Sequence, residues 1–418
     1  MRVKIFTSFT LCLTMMACGP VQRSLPKITS EDIQKAKNIE STLQDEIFKG
    51  ELVEAMKGDD ALEQRGIVIS GIMSRLIRMV MPKHLEIFNQ IEPPFVNKEE
   101  SFVEFKGVYG RCYQFRLFYK YNDPRIKGVE WASSVLSVPA KDQKNTKAGV
   151  VLAPSLDGFN PLLEAGLWLK LCRSGIASLM PESIYQKNSN SWNKELFDPT
   201  PSYRDVEEYT LYEDSIRRYE FVLNKNLELL RSYGSIKTEK DQNLSDFNVM
   251  VVEPERVGFW GSSFGAVVGA LVIAKDPKIK GAVLSVGGGD LPYIISRSKI
   301  SLFKKTREQQ MSLLGLKNIE EYRDFIATYI ESDPLRFAKQ SDAPRLHMIL
   351  ANKDNSVPTY AQNKLLQKFG RPSNGRIQNG HIFTLLYTSW FNSNTSQTAI
   401  DSLIKKLGSP LPASPKPD

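Results

Sequence analysis

Arg256-Val257-Gly258-Phe259-Trp260-Gly261-Ser262-Ser263-Phe264-Gly265-Ala266 is the stretch on which the reading of this chain turns. The apolar run at 256–260 predicts a buried strand, and the small and apolar residues from Ala266 through Ala270 and Ala274 predict a helix after it. Between them Gly261, Ser263 and Gly265 form Gly-x-Ser-x-Gly. A tight strand-to-helix turn holds its serine in a strained backbone conformation, and the two glycines leave room where a side chain would meet neighbouring backbone. The serine oxygen then lies at a helix N-terminus, where N–H groups and the helix dipole favour negative charge. Ser262 lacks the flanking glycine spacing and is set aside.

Outward from this turn, short apolar runs alternate with helical stretches. Gly149 to Ala153 and Ile176 to Met180 read as strands, separated by a helix from Pro161 to Cys172 and followed by a long helix over 204–233. Five-residue apolar runs alternating with helices predict a parallel sheet covered on both faces. Upstream, 102–108, 113–120 and 130–138 are rich in Val, Phe, Tyr and Ser with rough alternation, and Asn122-Asp123-Pro124 marks a turn. These predict antiparallel early strands feeding a mostly parallel, doubly wound α/β core. Two segments interrupt the rhythm: a loop-like 183–203, and 291–340, helical in pattern and placed to form a cap.

At the serine turn the chain resembles the α/β-hydrolase family, and the resemblance covers roughly residues 100 to 407. It implies a nucleophile, then an acid, then a histidine, in that chain order. Ser263 takes the first place. Leu346 to Ala351 followed by Asn352-Lys353-Asp354-Asn355-Ser356-Val357-Pro358 resembles the strand, turn and acid of the family, so Asp354 takes the second. A turn aspartate capping the next helix is the plainer reading of that residue. The chain has three histidines. His84 precedes the core and His347 lies inside an apolar strand, which leaves His381, after Asn379-Gly380, as the final loop histidine. Asp290, ending Val286-Gly287-Gly288-Gly289, stands where some members of the fold carry the acid and is the alternative to Asp354. For the oxyanion hole the resemblance implies the N–H of Phe264 and one from the loop Ala153-Pro154-Ser155-Leu156-Asp157-Gly158, with Leu156 preferred to Ser155. The His-Gly pair common there in the family is absent. Trp192, Phe264 and Tyr293 are candidates to line the substrate pocket.

The first twenty residues have a different character. Arg2 and Lys4 precede an apolar stretch from Ile5 to Met16, then Ala17-Cys18-Gly19, the layout of a secretory leader. Met15-Met16-Ala17-Cys18 resembles the lipobox of bacterial lipoproteins, with Met15 where Leu is usual, and implies lipidation of Cys18. The expected organisation is a leader over 1–17, a tether over 18–30, a helical N-terminal extension over 31–100, a catalytic domain over 101–407 with a cap at about 291–340, and a disordered Pro-rich tail over 408–418. Within the extension, Ile67 to Met81 reads as an amphipathic helix with Arg75 and Arg78 opposite its apolar side. A lipid-anchored place at the bacterial outer membrane or in the periplasm follows as the expected location. Cys112 and Cys172 form no disulfide framework by count; pairing and two buried thiols both remain open.

The net charge of +8 is spread thinly, with no basic block interleaved with aromatics, so nucleic acid is not an expected partner. Neither interior cysteine has a metal-ligand spacing, and no metal or organic cofactor is expected. The expected activity is a serine hydrolase, carboxylesterase- or lipase-like, acting on a small-molecule or lipid ester, with thioester or amide cleavage and acyl transfer using the same residues. The rival from another class is a non-catalytic lipoprotein that uses the fold as a binding module.

Overall fold

Three antiparallel pairings lead into a parallel sheet. β1 (Phe102–Phe105), β2 (Cys112–Asn122) and β3 (Val129–Pro139) pair in succession, and β3 joins the rest through the later strand β5 (Ile176–Pro181). β4 (Ala148–Ala153), β5, β6 (Val257–Ser262), β7 (Ala282–Ser285), β8 (Leu346–Ala351) and β9 (Ser373–Ile377) run parallel. The order across this nine-stranded sheet is β1-β2-β3-β5-β4-β6-β7-β8-β9. The computed structural model describes residues 102–105, 112–122, 129–142, 146–155, 161–181, 211–235, 249–389 and 394–408. The expected leader, tether and N-terminal extension lie outside these residues, as do Cys18, His84, Leu156, Asp157 and Trp192; so does the expected tail, except Gly408, which ends the last helix and is not part of a disordered segment.

Helices cover both faces of the sheet, which is why its central strands read as unbroken apolar runs. Along β6, Phe259 packs into one core with α2 (Leu211–Arg231), α3 (Phe264–Lys275) and α8 (Thr359–Lys368). Its neighbour Trp260 points the other way, into a core built with α1 (Pro161–Arg173) and α10 (Asn394–Gly408). β4 alternates in the same sense, Val151 and Ala153 to the first core and Val150 and Leu152 to the second. α2 buries Ile216, Tyr219, Val222, Leu223, Leu227 and Leu230, the three-to-four spacing of one helical face. α3 is buried from Gly265 through Ile273, as a helix enclosed in the core must be. Its last turn is closed by the buried Arg345, whose Nη2 donates to Ile273 O at 2.5 Å and whose Nη1 donates to Asp276 O at 2.7 Å.

The expected early strands, core strands and the helix over 161–172 all form, with ends shifted by a few residues. The long helix expected from 204 begins, within the described residues, at Leu211. The segment expected to be a cap is helical: α4 (Leu291–Arg297), α5 (Ser301–Leu314), α6 (Ile319–Ala327) and α7 (Pro334–Phe337). It is fastened to α2 through Glu213, a fully buried carboxylate that accepts from Arg217 Nε at 2.6 Å, Ser332 Oγ at 2.6 Å and Glu331 N at 3.1 Å. A buried carboxylate supplied with this many donors offsets its own desolvation. Cys172 is disulfide-bonded, which decides for that residue between the two states that its sequence context leaves open. Among the described residues no helix is long and apolar enough to cross a membrane.

Candidate active site

The loops at the C-terminal ends of β6, β8 and β9 meet at one point, the edge of a parallel sheet where ligands usually bind. Ser263 sits on the first of them, between β6 and α3, with φ 54° and ψ −117°. That backbone region costs a non-glycine residue about 1–3 kcal/mol and persists only where its surroundings fix it. Here Ser263 N donates to Ser285 O on the neighbouring β7 at 2.8 Å, while its own carbonyl accepts from Ala266 N at 2.9 Å and Val267 N at 3.0 Å. The two glycines are required by contact. A Cβ on Gly261 would lie 2.4 Å from Gly265 O, and one on Gly265 would lie 2.3 Å from Ala153 O.

Asp354 follows β8 in a tight turn that its own side chain closes. Its Oδ1 accepts from Ser356 N at 2.8 Å and from Val357 N at 2.9 Å, and its Oδ2 accepts from Gln362 Nε2 at 2.9 Å. Asp354 therefore closes its own turn and does not cap the helix that follows, whose N-cap is Pro358 with no side-chain hydrogen bond. β9 delivers the histidine next to it. Asn352 N donates to Ile377 O at 3.0 Å and Lys353 N to Asn379 O at 3.2 Å, lashing the two loops together. The expected loop position of His381 needs correction. His381 is the first residue of helix α9 (His381–Ser389), because the Gly380 carbonyl accepts from Thr384 N at 3.0 Å and Thr384 Oγ1 at 2.9 Å and so starts the helical ladder one residue earlier.

The three side chains form a continuous chain of hydrogen bonds. His381 Nδ1 lies 2.7 Å from Asp354 Oδ2, and His381 Nε2 lies 2.6 Å from Ser263 Oγ. All three residues are buried. An ionised carboxylate only accepts, so Nδ1 carries the proton and Nε2 is left to accept from the serine hydroxyl.

The other expected residues divide clearly. Asp290 is not joined to His381. It adopts a left-handed conformation (φ 63°) before α4, its Oδ1 accepts from Tyr293 N at 3.2 Å, and its Oδ2 accepts from Lys364 Nζ at 2.6 Å and Arg323 Nη2 at 3.3 Å. The hydrogen bond to Asp290 holds the Lys364 ammonium above its ordinary range, even though burial pulls the other way. His347 is the core residue that its strand suggests: buried, with Nδ1 3.0 Å from Ser373 Oγ, and pushed down to about 4 by burial and by the nearby Lys406 charge. Phe264 opens α3 and stacks on Tyr219 at 5.7 Å, and Tyr219 Oη donates to Pro154 O at 3.2 Å, so this aromatic pair braces the loop after β4. Ser155 is buried in that loop. Tyr293 packs against Tyr360 at 4.8 Å on the α4 and α8 side.

Gln362 was not among the residues singled out from the sequence. A signal for it exists: it is a polar residue on the apolar stripe Ala361, Leu365 and Leu366 of α8, and a buried polar group needs partners. Among the described residues no group of His, Cys, Asp and Glu is arranged to hold a metal ion.

No protein-family model matches the chain, and no curated protein matches it. Among solved structures it is similar to acetyl xylan esterase 1 from Thermoanaerobacterium sp. JW/SL YS485, with a TM-score of 0.44 and 12% identity over 74% of this chain and 87% of that one. It is also similar to a putative dienelactone hydrolase from Klebsiella pneumoniae subsp. pneumoniae MGH 78578, with a TM-score of 0.39 and 13% identity over 70% of this chain and 98% of that one. A third is the acylaminoacyl peptidase of Pyrococcus horikoshii, with a TM-score of 0.43 and 12% identity over 78% of this chain and 43% of that one. The chain has the α/β-hydrolase fold: a mostly parallel, doubly wound sheet with a serine at a sharp turn out of a central strand.

Proposed function

We propose that this protein is a serine hydrolase that cleaves a carboxylic ester through an acyl-enzyme, with Ser263 as nucleophile, His381 as general base and acid, and Asp354 as the orienting carboxylate. The observation that carries the reading is the unbroken relay from Ser263 Oγ to His381 Nε2 at 2.6 Å and from His381 Nδ1 to Asp354 Oδ2 at 2.7 Å. That relay is anchored on a positive-φ serine at a helix N-terminus.

The chemistry follows from those contacts. His381 Nε2 takes the hydroxyl proton as Ser263 Oγ bonds to the substrate carbonyl carbon. Asp354 holds the imidazole in the tautomer that can accept, and stabilises the imidazolium that forms. The tetrahedral oxyanion is held by the Phe264 N–H at the head of α3, with Leu156 as the second donor from the loop after β4. The alkoxide then leaves with the proton from His381, water adds by the reverse sequence, and the free acid is released. The same residues support amide or thioester cleavage and acyl transfer, so the leaving group and acceptor are matters for assay.

The N-terminal pattern adds a proposal about place: export and lipidation at Cys18, with the enzyme held at the bacterial envelope. Metabolic labelling with a fatty-acid analogue would be lost in Cys18→Ser if that is right, and retained if it is wrong.

The test of the activity is hydrolysis of acyl esters over a series of chain lengths, with fluorophosphonate labelling alongside. Ser263→Ala is expected to abolish labelling and lower turnover by roughly 10^4-fold or more. A folded wild-type protein that neither turns over nor labels would overturn the reading in favour of a binding module.

A further inference from the structure

The α8 residue Gln362 does more than fill a place in the core. Its side chain is fully buried, and both of its amide hydrogens are committed: Nε2 donates to Asp354 Oδ2 at 2.9 Å and to Val357 O at 2.8 Å. Its Oε1 accepts from Ala351 N, the last residue of β8, at 3.0 Å. The orientation of the amide follows from its partners, because the Ala351 N–H can meet only the oxygen and the carboxylate can meet only the NH2. One side chain thus ties the end of the strand, the turn after Asp354 and the carboxylate itself into a single unit.

The consequence for Asp354 is read by counting its acceptor positions. A carboxylate offers about four. Oδ1 is taken by the Ser356 and Val357 N–H groups, and Oδ2 is shared between His381 Nδ1 and Gln362 Nε2. Without Gln362, Oδ2 would keep only the imidazole, and the plane of the carboxylate would rest on the two Oδ1 contacts alone. We propose that Gln362 is a positioning residue for the reaction: it aims Asp354 Oδ2 at His381 Nδ1 and holds charge-stabilising hydrogen bonds around the carboxylate through α8. This rests on the assignment of Ser263, His381 and Asp354 above.

A hydrogen bond to a charged group is worth roughly 1.5–3 kcal/mol, which corresponds to about 10- to 150-fold in rate if it is expressed in the transition state. The experiment compares wild type, Gln362→Met, Gln362→Glu and Asp354→Asn for kcat, KM, the pH profile of kcat/KM, and melting temperature. Gln362→Met keeps the length and loses the donors; it is expected to lower kcat by about 10- to 100-fold with little change in KM. Gln362→Glu is nearly isosteric and replaces a donor by a second carboxylate beside Asp354. Its rate relative to wild type is expected to be lowest at neutral pH and to rise as pH falls, because protonating the introduced carboxyl restores a donor. A merely structural role would lower the melting temperature of both variants and leave kcat and the pH-dependent ratio unmoved; that result overturns the proposal. If Gln362→Met does not fold, the pH-dependent ratio of Gln362→Glu decides. An inactive wild type, or an Asp354→Asn variant as active as wild type, would instead sink the functional assignment on which the proposal stands.

Discussion

Two aspartates sit at the ends of neighbouring core strands, buried to nearly the same degree, Asp290 at 7% exposure after β7 and Asp354 at 5% after β8. Their surroundings differ in kind. Asp290 faces two cations, Lys364 and Arg323, and caps α4, so its charge is consumed in binding the cap to α8. Asp354 faces neutral donors, three amide N–H groups in all, together with one imidazole. Depth and residue type therefore do not assign a catalytic acid. What favours Asp354 for the proposed role is contact: its Oδ2 meets the imidazole and is otherwise held by a neutral amide, whereas the oxygens of Asp290 are engaged by the Tyr293 N–H and two cations.

The widest separation between the two is expected in activity. Asp354→Asn should lower kcat/KM by roughly 10^4-fold, since the amide favours the wrong imidazole tautomer. Ester turnover and fluorophosphonate labelling rates measure it. Asp290→Asn should leave kcat/KM within about threefold, as substitutions that spare reacting groups do. Lys364 and Arg323 are 35% and 42% exposed, so water takes over much of what the carboxylate supplied, and a stability loss of about 1 kcal/mol is expected. Thermal unfolding should register it as a fall of about 2–4 °C in Tm. A rate loss at Asp290 as large as that at Asp354 would invert the comparison and make Asp290 the acid.

The smallest effect at neutral pH belongs to a third buried titratable group. His347 lies on β8, and among the described residues its Nε2 has no hydrogen-bond partner. Burial, reinforced by the Lys406 charge, lowers it from 6.5 to about 4. Its folded value lies below its unfolded one, so the unfolded chain binds the proton first as the medium is acidified. The stability associated with neutral His347 is therefore whole above pH 6.5 and is lost as pH falls toward about 4. His347→Leu should flatten that part of a denaturation-versus-pH curve while leaving stability at pH 7 little changed. An unchanged acid limb would show that other groups control it.

Much of the fold and the proposed catalytic residues were legible because their signals are local. The serine turn is written in five residues, and the close approaches at Gly261 and Gly265 are the physical reason for its glycines. Asp354 announced itself by the turn before Val357-Pro358, and the shortage of histidines narrowed the choice to His381. What escaped depends on which helix packs beside which strand. The fate of Asp290 is decided by Arg323, 33 residues on, and Lys364, 74 residues on, and no short pattern links them. Gln362 was visible only as a polar residue out of place on an apolar stripe, with no sign of the carboxylate that it serves. His381 opening a helix instead of closing a loop turns on a single carbonyl, that of Gly380.

The placement of β9 has a consequence for how this molecule fails. Ser263 leaves the middle of the sheet, whereas His381 follows β9, an edge strand among the described residues, most of whose side chains are open to solvent. The backbone ties from Asn352 and Lys353 make the β8 and β9 loops move together, so fraying at the rim would withdraw Asp354 and His381, the proposed acid and base, as a pair and leave Ser263 on an intact scaffold. Inactivation is then a peripheral event, reversible and earlier than collapse of the core. Hydrogen exchange in mild denaturant should find β9 opening in step with lost turnover while β6 stays protected; simultaneous opening of both would rule this out.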